Sequence, residues 1–385
     1  MALPAAHARS RERVLRICAT GSTGSASGSG GSGAPSRSGG SGRFDATDAT
    51  GASGGDAHTL RVRLLREFRA LLGAEAFAFL LTDPVTSVGC APVARVPVLP
   101  ELPRLIRLKY LTRADRWTSL AGAAALSGLP EDERGPLWEE LLRPAGVRDV
   151  ASAVFRDRFG CWGFLDLWRY GAEFGPADLA YLDAVAGPVT EALRRAQSEA
   201  FPARPPGADR PGPLVLLLSP DLRVRGQTPG APAYLAGLIP PEEGRAPIPA
   251  AAYNVAAQLL AREAGVDPNP ARARVHLADG LWLTLRAARI DDGPGAEGPT
   301  PLDREIAVTI EETTPADRLD VFCRAHGLTG RETELLGHLA DGADTGAAAL
   351  AMSLSAHTVQ DHLKSVFAKT GTRHRRGLLA RALGT

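Results

Sequence analysis

The segment from Leu328 to Leu383 carries local signals that allow few folds other than a short bundle of four helices. Thr329 and Glu332 have capping-box spacing, in which the hydroxyl and the carboxylate satisfy two amides at the start of a helix. Leucines at helical spacing follow, and Gly342 stands where a left-handed residue would end that helix. The first helix of the bundle is therefore predicted from Thr329 to about Gly342.

Two more helices and a turn are predicted next, followed by a fourth helix. An Ala-rich helix fits Thr345 to Met352, and Ser355 can cap a longer helix that ends near Gly371. The longer helix has one apolar face (Val359, Leu363, Val366, Phe367) and one polar face (His357, Gln360, Asp361, Lys364). The fourth helix directs Leu378, Leu379 and Leu383 inward. This order of elements is typical of a helix-turn-helix unit.

Positive charge is concentrated in the same segment. Between Asp361 and Thr385, six cations face a single acid, whereas the whole chain carries a net charge of +1. Proteins that neutralise DNA phosphates need such a basic patch. The charge pattern therefore supports a DNA-binding role for the C-terminal helices.

These residues resemble the LuxR-type helix-turn-helix, the DNA-binding domain of LuxR and NarL/FixJ regulators. The positions that match the family pattern are Leu328, Thr329, Arg331, Glu332, Glu334, Leu336, Ala340, Gly342, Ala349, Leu354, Ser355, Thr358, Val359, His362, Lys369, Gly371, Arg375, Leu378, Arg381, Ala382 and Leu383. The resemblance implies a sequence-specific, double-stranded DNA-binding transcription regulator of bacterial type that acts in the cytoplasm as a homodimer. Its third helix would enter the major groove.

The resemblance also implies roles for particular residues. Gln360, Asp361 and Lys364 would face base edges, whereas Thr358, Arg373 and Arg375 would face phosphates or hold the fold. Two departures from the pattern bear on stability: Ala347-Ala348 replaces a Glu-Ile pair, and Met352 replaces a leucine. They predict a lightly packed second helix. They also motivate the alternative that the chain is a sensory or interaction module whose helix-turn-helix no longer binds DNA.

The rest of the chain divides at changes in composition. From Gly21 to Gly42, nine residues are glycine and eight are serine, which is typical of a flexible linker. The predicted regions are an N-terminal short helix (1–19), a Gly/Ser-rich flexible linker (20–58), a first domain (59–200), a Pro-rich linker (201–212), a second domain (213–316) and the helix-turn-helix domain (318–385).

The first domain is predicted to be α+β and resembles a GAF domain in its final hairpin and helix. Strands are expected at Ala76–Leu81, Ala151–Phe155 and Trp162–Trp168, and Pro176 begins a long amphipathic helix. A small-molecule effector at this GAF-like domain is one option. Phe77, Phe79, Trp117 and Trp162 are candidates for lining its pocket, although aromatic residues in strands are more often part of the core.

The second domain resembles a degenerate PAS fold. Its predicted elements are strands at Leu214–Leu218, Val224–Gln227 and Ile306–Ile310, a helix at Ala251–Glu263, and a hairpin around Asp279-Gly280. Nothing in it indicates a cofactor, and a scaffolding role fits as well as a sensory one. The predicted fold class is therefore multidomain, with α+β GAF-like and PAS-like sensory domains followed by an all-α four-helix LuxR-type domain.

Several function classes lack their sequence signals. The chain has three lysines and no GxxxxGK[ST] loop for nucleotide phosphates, and it contains no GxSxG nucleophile motif. The four cysteines form no CxxC pair, and the eight histidines form no HExxH or HxxxH pattern. We therefore expect no enzyme active site, no cofactor and no metal. No apolar run reaches the roughly 18 residues of a membrane span, so no membrane association is expected either.

Overall fold

In the computed structural model, the described residues are 3–20, 55–203, 212–238, 248–277, 280–290 and 302–384. They form three units, which we call the first sheet unit (3–203), the second sheet unit (212–312) and the C-terminal helical unit (315–384). No helix in these ranges is long and apolar enough to cross a membrane.

The first sheet unit is an antiparallel five-stranded sheet with helices packed against it. Its elements are α1 (Ala5–Thr20), α2 (Gly55–Leu72), β1 (Ala76–Thr82), β2 (Gly89–Arg95), α3 (Leu102–Leu111), β3 (Ala124–Ala125), β4 (Asp149–Asp157), β5 (Gly160–Arg169) and α4 (Pro176–Ser198). The strand order is β2-β1-β5-β4-β3. Strand β1 is buried along its whole length, as its apolar run requires.

The N-terminal helix belongs to this unit. Ser10 is buried and hydrogen-bonds Tyr181 on α4 at 2.9 Å, and His7 lies 3.0 Å from the Asp178 carboxylate. The linker after α1 is predicted to run from residue 20 to residue 58. In the structure, α2 already begins at Gly55. Residues 21–54 of that linker lie outside the described part of the chain.

The second sheet unit repeats the strand order of the first. Its elements are β6 (Leu214–Leu218), β7 (Val224–Gln227), α5 (Ala231–Leu238), α6 (Ala250–Glu263), β8 (Arg272–His276), β9 (Trp282–Arg289) and β10 (Ile306–Glu312). The sheet order is β7-β6-β10-β9-β8, with antiparallel neighbours throughout. The predicted strand pair and hairpin are confirmed. Asp279 of the predicted turn and residues 204–211 of the Pro-rich linker lie outside the described residues.

The C-terminal helical unit contains the four predicted helices and one that was not predicted. Its elements are α7 (Pro315–Ala325), α8 (Gly330–Ala340), α9 (Thr345–Ala351), α10 (Ala356–Thr370) and α11 (Arg375–Leu383). Helix α7 joins the second sheet to α8 and packs against α4 and α11. It begins before the boundary predicted at Arg318, because Thr314 caps it and Pro315 occupies its first turn.

Buried ion pairs hold the units together. Arg274 on β8 pairs with Asp83, which follows β1, at 2.7 Å, and both side chains are fully buried. Arg274 also contacts Asp320 on α7 at 2.8 Å. Charges buried in this way need a partner, so these contacts fix the three units relative to one another.

Candidate nucleic-acid interface

Helices α8, α9 and α10 pack around a small apolar core of their own. Its buried members are Leu335, Leu339, Ala348, Ala349, Met352 and Val359. Of the substituted positions, Ala348 is fully buried and Met352 is 3% exposed, so both lie within this core, while the light packing of the second helix stays a prediction. The small alanines let α9 approach its neighbours closely, and the flexible methionine fills the remaining space.

The predicted caps are confirmed. The Thr329 amide donates to Glu332 Oε2 at 2.7 Å, and the Glu332 amide donates to Thr329 Oγ1, which completes the capping box. Ser355 accepts from the Thr358 amide at 3.1 Å, and Gly371 ends α10 with φ of 64°. The Ser355 contact begins α10 directly after the turn that follows α9.

Glu332 also ties α8 to α10. Its carboxylate accepts hydrogen bonds from Ser365 and from the Lys369 ammonium, each at 2.6 Å. Burial favours the neutral carboxyl, but the bonds from Lys369 and Ser365 outweigh it and lower the Glu332 pKa to about 2. Glu332 therefore constrains the angle between α8 and α10.

The outward face of α10 is exposed, as its polar pattern predicted. Gln360, Asp361 and Lys364 all lie on this face. The Lys364 ammonium donates to Asp361 Oδ1 at 3.0 Å, and His357 Nε2 lies 3.7 Å from Asp361 Oδ2. The hydrogen bond from Lys364 lowers the pKa of the Asp361 carboxyl. A helix with an exposed polar face of this kind can enter a major groove.

The other three predicted site residues fall in different surroundings. Thr358 is half-buried in the first turn of α10, with its hydroxyl 2.9 Å from that of Ser355. Arg373 is exposed in the loop before α11. Arg375 is half-buried and donates to the carbonyl of Leu339 at 3.1 Å, which closes the end of α8. Of these three residues, Arg373 is exposed, Thr358 is half-buried at the start of α10, and Arg375 has an internal contact.

The basic patch is smaller than its sequence count indicates. Lys369 bonds Glu332, and Arg381 donates to the carbonyls of Thr370 at 2.6 Å and Phe201 at 3.0 Å. Lys364, Lys369, Arg373 and Arg376 are the exposed members of the set, and of these Lys369 is engaged by Glu332. Sequence spacing could not distinguish the cations that have internal partners from those that do not, because those partners lie 11 to 180 residues away.

A second feature, outside the helical unit, is a cavity of about 270 Å³ lined by residues of both sheet units, most of them from the first. Of the four aromatic residues proposed to line a pocket there, only Phe77 does so. The other three belong to the core. Phe79 packs on Phe155, Trp117 stacks on Phe164, and Trp162 donates its indole N–H to Asp157.

Comparison with known families gives a match for the C-terminal helices. Residues 326–382 match the family described as bacterial regulatory proteins, luxR family. No curated protein matches the chain. The match covers α8, α9 and α10 and nearly all of α11, so this part of the chain is a LuxR-type helix-turn-helix domain. Both sheet units lie outside the match.

Proposed function

We propose that the chain is a sequence-specific transcription regulator that binds double-stranded DNA with α10 in the major groove. The observation that carries this proposal is the exposed polar face of α10 within a domain of the luxR family. The caps and the Glu332 contacts hold that helix in a fixed orientation before DNA arrives. A preoriented helix avoids part of the ordering cost of binding.

The side chains of the proposed interface fall into two sets, those that can contact base edges and those that can contact phosphate. Gln360 can hydrogen-bond an adenine edge through its amide, Lys364 can donate to guanine, and Asp361 can accept from the amine of cytosine. Thr358 lies in the first turn of α10 and Arg373 follows its end, and both carry groups that suit contacts to phosphate. Arg375 holds the fold through its bond to the Leu339 carbonyl.

The two sheet units are proposed to control this domain. Both have the strand order in which the first strand lies between the second and the last, which supports the GAF-like and PAS-like interpretations. The cavity lined by the two sheet units is a candidate effector site. A homodimer in the cytoplasm fits this function, since paired half-sites on DNA match a two-fold protein.

The test is selection from a random DNA library at two salt concentrations, with the full chain and its Lys364→Ala variant. We expect the full chain to enrich one motif, with affinity that falls steeply as salt rises. Lys364→Ala should weaken binding to that motif by about 1–3 kcal/mol and relax the preference at one base position.

Arg104→Ala is the matched control. Arg104 pairs with Glu101 three residues earlier at 3.1 Å, as Lys364 pairs with Asp361, but it lies on α3. The Arg104→Ala variant should bind the selected motif with the same affinity as the unmodified chain. If no motif is enriched at either salt concentration, the proposal fails and the interaction-module alternative takes its place.

A further inference from the structure

The cavity of about 270 Å³ is built by both sheet units. Its floor is formed by β1, β2 and β5, and α3 lines one side through Leu105 and Ile106. Ile248 and the start of α6, with Ala250 and Asn254, close it from the second sheet unit. A molecule in this cavity would therefore contact both units at once.

The position of α6 is fixed by a second buried ion pair. Arg116 of the first sheet unit donates to Asp267 at 2.9 Å and to the Gln258 side chain on α6 at 3.1 Å. Arg116 and Asp267 are each 3% exposed. Because this pair would be left uncompensated if α6 moved away, the shape of the cavity depends on the docking of the two units.

Two cations line the cavity, Arg95 and Lys109, and Lys109 is the one held in place by a buried carboxylate. The Lys109 ammonium lies 3.0 Å from Asp166 Oδ1 and 2.8 Å from Oδ2, and Ser152 also donates to Asp166. An ammonium has three donors, and the two oxygens of Asp166 can occupy two of them. The third donor is left for an acceptor in the cavity that Lys109 and Asp166 both line.

The surroundings of Lys109 favour an acceptor over a second cation. Its ammonium lies 5.7 Å from the centre of the Trp117 ring and 6.0 Å from that of Phe164, so aromatic faces shield it from water. A hydrogen bond to a charged donor is stronger in such a place than in water. A cationic ligand would instead have to compete with Lys109 for Asp166.

We propose that this cavity binds a small, mainly apolar molecule carrying one carboxylate or carbonyl oxygen, which accepts a hydrogen bond from Lys109. The remaining walls are largely apolar, with Leu80, Leu99 and Leu137 among them, and match the apolar body of such a molecule. The volume lies just below the range of about 300–1,000 Å³ for small-molecule sites, which limits the ligand to a compact one. Its role as an effector rests on the proposed regulatory function, but its binding does not.

The test uses matched triplets of compounds and ligand-detected NMR with the full chain and no DNA. Each triplet joins one apolar body (phenylpropyl, cyclohexylethyl or hexyl) to a carboxylate, a carboxamide or an amine. We expect carboxylates and carboxamides to bind and amines to fail. The double variant Lys109→Met/Asp166→Asn should weaken carboxylate binding by roughly ten- to hundredfold, the worth of one hydrogen bond to a charged group.

A second pair of variants locates the binding. Leu99 lines the cavity and is 40% exposed, so Leu99→Trp should obstruct it without disturbing the core, and binding should be lost. Leu302 is 60% exposed and does not line the cavity, so Leu302→Trp should bind as the unmodified chain does. Hydrogen exchange should slow on ligand binding both in β1, β2 and α3 and at the start of α6.

Four results would overturn the proposal: no member of any triplet binds, amines bind as well as carboxylates, the Lys109→Met/Asp166→Asn variant binds carboxylates unchanged, or Leu99→Trp leaves binding unchanged. Protection confined to the first sheet unit would refute the shared site. Because DNA is absent, none of these results bears on the helix-turn-helix. DNA selection that fails while the triplets bind as expected would refute the proposed function alone.

Discussion

At the scale of single residues, Asp361 is an acidic side chain on the face of α10 that is proposed to meet DNA, where its charge would repel phosphate. It lies on the outward face of α10 and holds the Lys364 ammonium at 3.0 Å. We expect Asp361→Asn to strengthen non-specific DNA binding at low salt, because it removes a negative charge near phosphates and frees Lys364. If Asp361 also accepts from a cytosine amine, the same variant should lose preference for one base pair.

The measurement is affinity for random-sequence and selected DNA across a salt series. Glu334→Gln is the matched control, since Glu334 forms a similar exposed pair with Arg331 at 2.8 Å on α8. Non-specific affinity that stays the same for Asp361→Asn would show that α10 does not face the DNA backbone.

Glu332 gives a prediction about pH. Its pKa in the folded protein is about 2, below the ordinary value of 4.5, so folding favours the charged carboxylate. The stability that Glu332 contributes is therefore fully present above about pH 4.5 and is lost as the pH falls toward 2. The difference in unfolding free energy between the unmodified chain and Glu332→Gln should shrink over that interval.

Urea unfolding at several pH values between 2 and 6 measures this difference, with Glu334→Gln on the exposed side of α8 as control for the loss of a charge. The experiment is sensitive because Glu332 lies between Lys369, Ser365 and the Thr329 amide. A difference that stays constant with pH would mean that these contacts do not favour the ionised form.

At the scale of elements, α9 depends on one methionine. Met352 is 3% exposed and fills the core that α9 shares with α8 and α10. Met352→Ala should lower the unfolding free energy of the C-terminal helical unit by about 2–5 kcal/mol, whereas Met352→Leu should cost less than about 1.5 kcal/mol.

The control is Leu350, which lies on α9 two residues before Met352. Leu350 is 83% exposed, so Leu350→Ala should change stability by no more than about 0.5 kcal/mol. Thermal unfolding followed by circular dichroism tests all three variants. A cost at Leu350 equal to that at Met352 would mean that α9 packs with the opposite face inward.

The elements that sequence could predict are those set by local signals. Caps and helical spacing gave α8, α9, α10 and the outward face that carries Gln360, Asp361 and Lys364. The internal roles of Lys369 and Arg381 could not be predicted, because contacts distant in sequence create them. Helix α7 had readable signals in Thr314 and Pro315, but its short apolar face is not distinctive without the surfaces of α4 and α11.

At the scale of the whole molecule, Arg274 connects all three units. It pairs with Asp83 of the first sheet unit and Asp320 of α7. Arg274→Met leaves the buried Asp83 charge without its partner, and such a loss costs about 3–5 kcal/mol. The double variant Asp83→Asn/Arg274→Met should recover part of that loss. Calorimetric unfolding compares the stability of the two variants. An Asp83→Asn/Arg274→Met variant less stable than Arg274→Met would contradict the prediction.

The junction between the sheets and the C-terminal helical unit leaves the outward face of α10 exposed. Phe201, fully buried after α4, stacks on Trp282 of the second sheet unit at 4.7 Å and meets Phe322 of α7 edge-on at 5.4 Å. Its carbonyl accepts from Arg381 of α11. This docking holds α7 and α11 while Gln360 and Lys364 stay exposed. Control by the sheets should therefore act on the spacing of two domains in the proposed homodimer rather than by covering α10.

Phe201→Leu tests this argument, because it loosens the junction without touching α10. Affinity for DNA with a single half-site should stay within about twofold, whereas affinity for paired half-sites should fall, since the second contact depends on fixed spacing. Phe68→Leu, an equally buried change within α2, controls for general destabilisation. A large gain in single half-site affinity for Phe201→Leu would instead mean that the docked sheets suppress α10, and the spacing argument would be wrong.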